Sequence, residues 1–373
     1  MRRGIIHIGM PRTGSTSLQA VLTNLRPRLG AVGLLYPELA PPGSPEGADV
    51  NHQPLGEALD GRRPPGERAA SLARLSEILG STRADTVILS YEDFAVQKAG
   101  LGIPQIVHDL FHARGFRMEV AIVVKPQFEQ LNSAYAHRAQ LVRETRTFRG
   151  FAGQNWRSGR FDYAALIEPW RRAADGRVTA IPLRDARSEA PLLGRIVRDL
   201  GLEDRLGPLM SAETQRLITN RSPGPIAVEA ARRLRRLRVH TQFRGHSRHI
   251  GHVLDDAAWS RGLDPEPFRG DAPDLRNRIE AHAALPNERF ARALWGAPWS
   301  AVVKQAPARP PNELAGHAIP PGTEAQIATL MAETIRHFGF RAPAPWQRIP
   351  ADLAEAAAEH LARLVGYTRW RVP

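Results

Sequence analysis

Residues 4–25 constrain the fold more than any other part of the chain. The stretch begins with Ile5, Ile6 and Ile8, a short β-branched run that is typical of a parallel strand buried on both faces. The apolar residues that follow have the spacing of one helical face: Leu18, Val21, Leu22 and Leu25. A strand joined directly to a helix by one loop predicts an α/β fold built on parallel strands.

The loop between them, GMPRTGST at residues 9–16, has the features of an anion-binding turn. Gly9 and Gly14 let the backbone turn tightly and direct its N–H groups at an anion, near the positive end of the helix dipole. The glycines also match the G-x-x-x-x-G spacing of an ATP-binding P-loop, but Ser15 stands where that motif requires lysine. The loop carries its cation earlier, at Arg12.

This order of strand, cation, small residue, glycine, hydroxyl residues and helix is similar to the 5′-phosphosulfate loop of sulfotransferases, which use 3′-phosphoadenosine 5′-phosphosulfate (PAPS). The family usually has lysine at the position of Arg12. The resemblance implies that Arg12 is catalytic, because it stabilises negative charge on the bridging oxygen and the departing 5′-phosphate. It also implies a set of cofactor-binding residues in the loop: Pro11, Arg12, Thr13, Gly14, Ser15 and Thr16.

A second segment, VVKPQFEQLNSAY, extends the resemblance. In sulfotransferases a strand here ends in arginine, a serine follows on the next helix, and the two bind the 3′-phosphate of PAPS. Lys125 and Ser133 stand at the same separation, and Tyr135 fits the Ser-x-Tyr pattern of the family. Lysine keeps the charge of arginine but makes a point contact in place of a bidentate one. The resemblance therefore implies that Lys125 and Ser133 bind the cofactor.

Strand and helix patterns alternate along the first half of the chain. Further strands are predicted at residues 86–90, 120–124 and 178–181, each followed by a helical pattern. This alternation predicts a three-layer, P-loop-like α/β fold with a central, mostly parallel sheet flanked by helices. Functional loops should lie at the carboxyl ends of the strands, where the first loop, Glu92 and Lys125 all occur.

Beyond about residue 220 the pattern is helical. It includes the basic run RRLRRLR at residues 232–238 and an irregular, histidine-containing region at residues 245–256. We expect an α/β domain over residues 1–305, a Pro-rich linker over 306–322 and a helical C-terminal appendage over 323–373, with helices near 324–338 and 353–365.

Composition narrows the classes of ligand and chemistry. The chain has 51 Lys and Arg against 38 Asp and Glu, a formal net charge of +13 that favours anionic ligands. It contains no cysteine, which excludes disulfides, Cys-ligated zinc and thiol catalysis. No apolar run reaches the roughly 18 residues of a membrane span, and we expect a cytoplasmic protein. We find no metal motif, and sulfuryl transfer from PAPS requires no metal.

An acceptor hydroxyl usually needs a general base, and sulfotransferases use His or Glu. His52 has a near-neutral reference pKa and lies in the loop-rich segment after the first helix, so it is the first candidate. Glu92, at a predicted strand end, is the second, and Glu38 is the third. A further group lies in a basic region and lacks the spacing of zinc ligands: His240, His246, His249 and His252.

The predicted function is that of a PAPS-dependent sulfotransferase acting on a hydroxyl or amine of a carbohydrate, lipid or small molecule. The first alternative is a P-loop nucleotide kinase, which would need Mg²⁺ and a lysine after Gly14, with Asp93 as a candidate magnesium ligand. The second is a non-catalytic nucleotide- or anion-binding protein with a degenerate site. We expect no nucleic-acid partner, since no aromatic residues interleave with RRLRRLR.

Overall fold

The computed structural model describes residues 2–40, 43–44, 50–97, 100–159, 161–211, 214, 222–239, 247–270, 272–307 and 309–340. The helix predicted at 353–365 lies outside these ranges, as do His240 and His246. Two compact units make up the chain: residues 1–130, 156–220 and 278–307 form the first, and residues 131–155, 221–277 and 308–373 form the second. The units are not contiguous in sequence, and the domain boundaries expected at residues 305 and 322 stay a prediction.

A five-stranded parallel sheet forms the centre of the first unit, in the order β2–β3–β1–β4–β5. Its strands are β1 (Arg2–His7), β2 (Leu34–Leu35), β3 (Thr86–Ser90), β4 (Phe116–Val124) and β5 (Val178–Pro182). The predicted α/β fold class with a parallel central sheet is confirmed. The edge strand β2 was not predicted, because two residues are too few to produce an alternating pattern.

The helices are numbered here in chain order. They are α1 (Ser15–Leu29), α2 (Gln53–Leu59), α3 (Pro65–Ser81), α4 (Ile103–His112), α5 (Gln127–Gln140), α6 (Phe148–Asn155), α7 (Tyr163–Ala173), α8 (Leu192–Asp199), α9 (Glu203–Leu206), α10 (Pro225–Arg236), α11 (Ser247–Ser260), α12 (Pro273–Trp295), α13 (Trp299–Val302) and α14 (Pro321–His337). Among the residues with coordinates described above, none of these helices combines the length and hydrophobicity that crossing a bilayer requires.

Strand β1 is buried on both faces, as Ile5, Ile6 and the following Ile8 predict. Ile5 belongs to the core on one face of the sheet, together with the apolar stripe of α1. Ile6 and Ile8 belong to the core on the opposite face, where α4 and α7 contribute. Successive side chains of a strand alternate between faces, and each buried isoleucine stabilises the fold by about 1.5–3 kcal/mol. Two cores therefore fix β1 at the centre of the sheet.

The second unit has its own core. Ile250 and Leu254 of α11 are buried in it, with residues of α10 and α14. The irregular structure predicted for residues 245–256 is wrong where α11 covers them, because histidines obscure the helical spacing of its apolar residues. A Cβ added at Gly251 would lie only 1.3 Å from the carbonyl oxygen of Gln140, so this glycine allows α11 to approach the end of α5.

The basic run on α10 supports the second unit from within. Arg232 is buried and forms an ion pair with Glu229, and its guanidinium also donates to two backbone carbonyl oxygens of the unit. Arg233 pairs with Glu229 at 2.9 Å and with Glu324 of α14. These two arginines are therefore structural residues, with carboxylate partners close in space.

Candidate active site

The loop of residues 9–16 lies at the carboxyl end of the central strand β1. The N–H groups of Ile8 and Met10 donate to carbonyl oxygens of β4 at 2.9 and 3.0 Å. On the other side, the N–H group of Ala95, which follows β3, donates to the carbonyl oxygen of Ile8 at 2.9 Å. Both neighbouring strands thus hold the start of the loop, at the sheet edge where ligands of parallel α/β proteins bind.

Two glycines of the loop occupy positions that a larger residue would not fit. Gly9 has φ of +129°, and a Cβ added there would lie 2.2 Å from the carbonyl oxygen of Glu92. Gly14 has φ of +91°, and a Cβ there would lie 2.5 Å from a side-chain carbon of Leu192. Arg12 also has a positive φ, 65°. Left-handed residues of this kind bring successive N–H groups into an anion-binding concavity.

The hydroxyl groups of the loop stabilise its own backbone. Thr13 is fully buried, and its Oγ1 donates to the carbonyl oxygen of Met10 at 2.5 Å. The Oγ of Ser15 donates to the same oxygen at 3.4 Å. Helix α1 begins at Ser15, with Gly14 as its N-cap residue. The N–H groups of Ser17 and Leu18 donate to the carbonyl oxygen of Gly14 at 3.1 and 3.3 Å. The donors for an anion at this end of α1 are therefore the N–H groups that precede Ser17.

The next two carbonyl groups of the loop accept hydrogen bonds from the segment that follows β4. The side-chain amide of Gln130 donates to the carbonyl oxygen of Pro11 at 2.6 Å. The ammonium group of Lys125 donates to the carbonyl oxygen of Arg12 at 2.9 Å. Lys125, predicted to contact the 3′-phosphate, therefore contacts the loop that was predicted to bind the opposite end of PAPS.

Lys125 lies in an environment that disfavours its charge. Its side chain is buried, and burial lowers the pKa of Lys125 to about 7. The negative charge of Glu129 raises this pKa, whereas the positive charges of Arg12 and Arg184 lower it further. An anion bound at the loop would favour the charged ammonium form.

Glu92 lies directly after β3, at the start of a short 3₁₀ turn (Glu92–Val96). The side-chain amide of Gln19, on α1, donates to Glu92 Oε2 at 2.8 Å and to Ser90 Oγ at 3.1 Å. Burial raises the pKa of Glu92, and the Gln19 hydrogen bond and the positive charge of Arg12 partly oppose this rise. The structure thus brings Glu92 within electrostatic range of Arg12.

His52 is buried beside the same strand, with both ring nitrogens engaged by the backbone. Its Nδ1 accepts a hydrogen bond from the N–H of Ser90 at 2.8 Å, and its Nε2 lies 3.0 Å from the carbonyl oxygen of Pro37. With Nδ1 accepting, Nε2 carries the proton and donates it to Pro37. The ring links three chain segments, and the catalytic role expected for His52 stays a prediction.

Sequence reasoning did not single out Gln19 or His7. The Nδ1 of His7 lies 2.8 Å from Ser90 Oγ, so a line of polar groups runs from Glu92 through Gln19 and Ser90 to His7. Burial lowers the pKa of His7 to about 4, which keeps its ring neutral. A signal existed for Gln19, because it is a polar residue next to Leu18, at the edge of the apolar stripe of α1.

The other predicted residues lie in different settings. Pro11 and Thr16 are partly exposed, and Glu38 is exposed and pairs with Arg26 at 3.0 Å. Ser133 is partly exposed on α5, within the second unit, and its phosphate contact stays a prediction.

Two features bear on a metal-dependent alternative. Asp93, the magnesium ligand expected of a kinase, lies 3.6 Å from Arg62 and accepts a hydrogen bond from the Tyr91 hydroxyl at 3.1 Å. Across the ranges that the structure describes, no three His, Asp or Glu side chains form a group suited to a metal ion. His249 and His252 belong to the second unit.

Comparisons with known proteins give a structural likeness and no sequence relative. No family model matches the chain, and no curated protein matches it. Among solved structures, the chain is similar to the crystal structure of a sulfotransferase from Alicyclobacillus acidocaldarius, with 15% sequence identity and a TM-score of 0.40. The alignment covers 79% of this chain and 96% of that one. A likeness of this size leaves the functional assignment to the residues of the loop and its surroundings.

Proposed function

We propose that the protein is a sulfotransferase that transfers a sulfuryl group from PAPS to a hydroxyl or an amine of a carbohydrate, lipid or small-molecule acceptor. The observation that carries the proposal is the 9–16 loop at the carboxyl end of β1, with Arg12 in electrostatic range of Glu92. Ser15 in place of the P-loop lysine favours a sulfated donor over a nucleoside triphosphate.

In this proposal the loop binds the 5′-phosphosulfate of PAPS. The N–H groups of the loop and of the start of α1, before Ser17, donate to the anion. The Arg12 guanidinium stabilises the charge that develops on the bridging oxygen as the 5′-phosphate departs. Because a guanidinium stays protonated in proteins, Arg12 acts by its charge and its hydrogen bonds and does not donate a proton.

Glu92 is the proposed general base. The acceptor oxygen attacks sulfur while the bond from sulfur to the bridging oxygen breaks, and the electron pair of that bond leaves with the 5′-phosphate. The acceptor proton moves to the Glu92 carboxylate. Burial raises the pKa of Glu92, which makes its carboxylate a stronger base. Both ring nitrogens of His52 already hydrogen-bond to the backbone, so Glu92 is preferred over His52.

The bisphosphate product, 3′-phosphoadenosine 5′-phosphate, gives a test that needs no knowledge of the acceptor. We expect it to raise the Tm in the presence of a metal chelator. At one hundred times its Kd it should add about 2.7 kcal/mol to the free energy of unfolding. ATP should raise the Tm much less, and Arg12→Ala should reduce the response to the bisphosphate. A shift that needs Mg²⁺ and ATP, with no response to the bisphosphate, would contradict the proposal and favour a kinase.

The acceptor can then be sought with labelled PAPS. Transfer of label to one class among sugars, lipids and small amines would identify the substrate. If the wild-type protein binds the bisphosphate but transfers label to none of the three classes, the result would contradict the proposed sulfotransferase activity. It would favour a non-catalytic nucleotide-binding protein.

A further inference from the structure

We infer that Lys125 is a positioning residue for the anion loop, and that with Gln130 it orients the peptide N–H groups that face the bound anion. The inference rests on the proposed function, because it assigns the loop an anionic ligand. It differs from the role expected for Lys125 from the sequence, which was a direct contact with the 3′-phosphate.

The hydrogen bonds to the carbonyl groups of Pro11 and Arg12 also fix the directions of the N–H groups that follow them. In a trans peptide the carbonyl group of one residue and the N–H group of the next point in opposite directions. Gln130 holds the carbonyl oxygen of Pro11 at 2.6 Å, and this fixes the direction of the Arg12 N–H group. Lys125 holds the carbonyl oxygen of Arg12 at 2.9 Å, and this fixes the direction of the Thr13 N–H group. Two successive N–H groups are thereby turned away from β4 and α5.

Both side chains that donate to the loop carbonyl groups are held in buried surroundings. Lys125 and Gln130 are both buried, with exposed fractions of 4% and 2%. The backbone carbonyl of Lys125 itself accepts a hydrogen bond from the buried hydroxyl of Tyr163 at 2.7 Å. A buried donor on a fixed backbone holds a loop in one orientation better than a solvated side chain, whose rotamers remain mobile.

The charge of Lys125 links this support to pH. The groups that face its ammonium are Glu129, which favours the charged form, and Arg12 and Arg184, which disfavour it. With a pKa of about 7, the ammonium is charged below neutral pH and loses its proton above it. Anion binding should therefore be strongest below about pH 7 and weaken as the pH rises through that value.

The test compares two nucleotides that share a 5′-phosphate and differ in the 3′-phosphate. Affinities for adenosine 5′-phosphate and 3′-phosphoadenosine 5′-phosphate would be measured for the wild type and for Lys125→Met. A positioning role predicts that both affinities fall by the same factor, about tenfold or more. A loss confined to the bisphosphate would show that Lys125 contacts the 3′-phosphate directly, and would overturn the inference.

A pH series separates the positioning role from a general effect on folding. In the wild type both affinities should fall as the pH rises through about 7, whereas Lys125→Met should show no such step. Gln130→Met should weaken both nucleotides equally and keep the step, so it tests the geometry even if Lys125→Met folds poorly. Lys304→Met, at an exposed lysine, is the matched control and should behave like the wild type. A wild type without the step would overturn the inference.

A ligand-free measurement separates the inference from the proposed function. If neither nucleotide binds the wild type, the proposed function fails. The positioning role of Lys125 is then tested by crystal structures of the wild type, Lys125→Met and Lys304→Met without nucleotide. We expect the peptide between Arg12 and Thr13 to rotate or to take two orientations in Lys125→Met alone. An unchanged peptide in that variant would overturn the positioning role.

Discussion

The 9–16 loop of the first unit and helix α10 of the second both contain arginine, but they use positive charge differently. On α10, two arginines of the basic run, Arg232 and Arg233, form ion pairs with carboxylates. At the loop, the positive charge of Arg12 acts against a second cation, Lys125, and lowers its pKa. The conspicuous run of arginines thus supports a core. At the loop, a bound anion would offset the repulsion between Arg12 and Lys125.

The largest expected effect is on turnover, at the Glu92 carboxylate beside the loop. Glu92→Gln should lower kcat by on the order of 10²–10⁴-fold, because the acceptor loses its general base while the side chain keeps its size. Its Tm should stay near that of the wild type, since an amide can still accept the hydrogen bond from Gln19. Steady-state kinetics with labelled PAPS measure the first effect and thermal unfolding the second.

Glu38→Gln is the control for this change. Glu38 is an exposed carboxylate of the same unit that pairs with Arg26, and it should keep wild-type kcat. Near-normal turnover in Glu92→Gln would remove Glu92 as the base and return attention to His52.

On α10 the expected loss is in stability. Arg232→Met should lower the free energy of unfolding by about 3–5 kcal/mol, because it leaves the buried Glu229 carboxylate without its closest cation. The affinity of the folded protein for the bisphosphate should not change. Denaturant unfolding and calorimetric titration measure the two quantities.

Arg261→Met is the matched change at an exposed arginine of the same unit, where an ion pair contributes about 0–1 kcal/mol. If Arg232→Met kept full stability and lost bisphosphate affinity, the contrast between the loop and α10 would be wrong.

A smaller effect is expected at His52. His52→Ala removes the acceptor of the Ser90 N–H and the donor to Pro37, and it should lower stability by about 1–3 kcal/mol. The pH dependence of kcat/KM should keep its wild-type shape, because in this account the ring takes no proton from the acceptor. His112→Ala, at an exposed histidine, serves as the control. Loss of the acid limb of the pH profile in His52→Ala would make His52 the base.

The smallest effect concerns the acidity of Glu92. The Gln19 hydrogen bond lowers the Glu92 pKa, so Gln19→Leu should raise it. The base is active when ionised, and the acid limb of kcat/KM should therefore move to higher pH, with a loss of about tenfold at most below that limb. Gln53→Leu, at an exposed glutamine, should leave the limb in place. A shift to lower pH would contradict the geometry around Glu92.

The sequence predicts the first strand, its loop and α1 well, because the pattern that specifies them is local. Strand β3 at Thr86–Ser90 and strand β5 were predicted within a residue for the same reason. Strand β4 was predicted too short, since Arg117 and Glu119 interrupt its apolar run and pair with each other at 3.1 Å. Neighbouring side chains thus compensate charges that a one-dimensional pattern counts against a strand.

The candidate site could be predicted only in part. Glycine spacing identifies the loop, because a positive φ is a local demand of the backbone. The sequence does not reveal that Lys125 donates to the Arg12 carbonyl or that Gln19 reaches Glu92, since each contact joins segments far apart in the chain. The same limit applies to His52, whose two backbone partners, Pro37 and Ser90, come together only in the folded first unit.

A structure of the protein in complex with 3′-phosphoadenosine 5′-phosphate, formed in the presence of a chelator, tests the central claim most directly. The account predicts that the 5′-phosphate lies in the 9–16 loop, about 3 Å from backbone N–H groups and from the Arg12 guanidinium. A bisphosphate bound elsewhere, with the loop and Arg12 unchanged and without contact to it, would contradict the account.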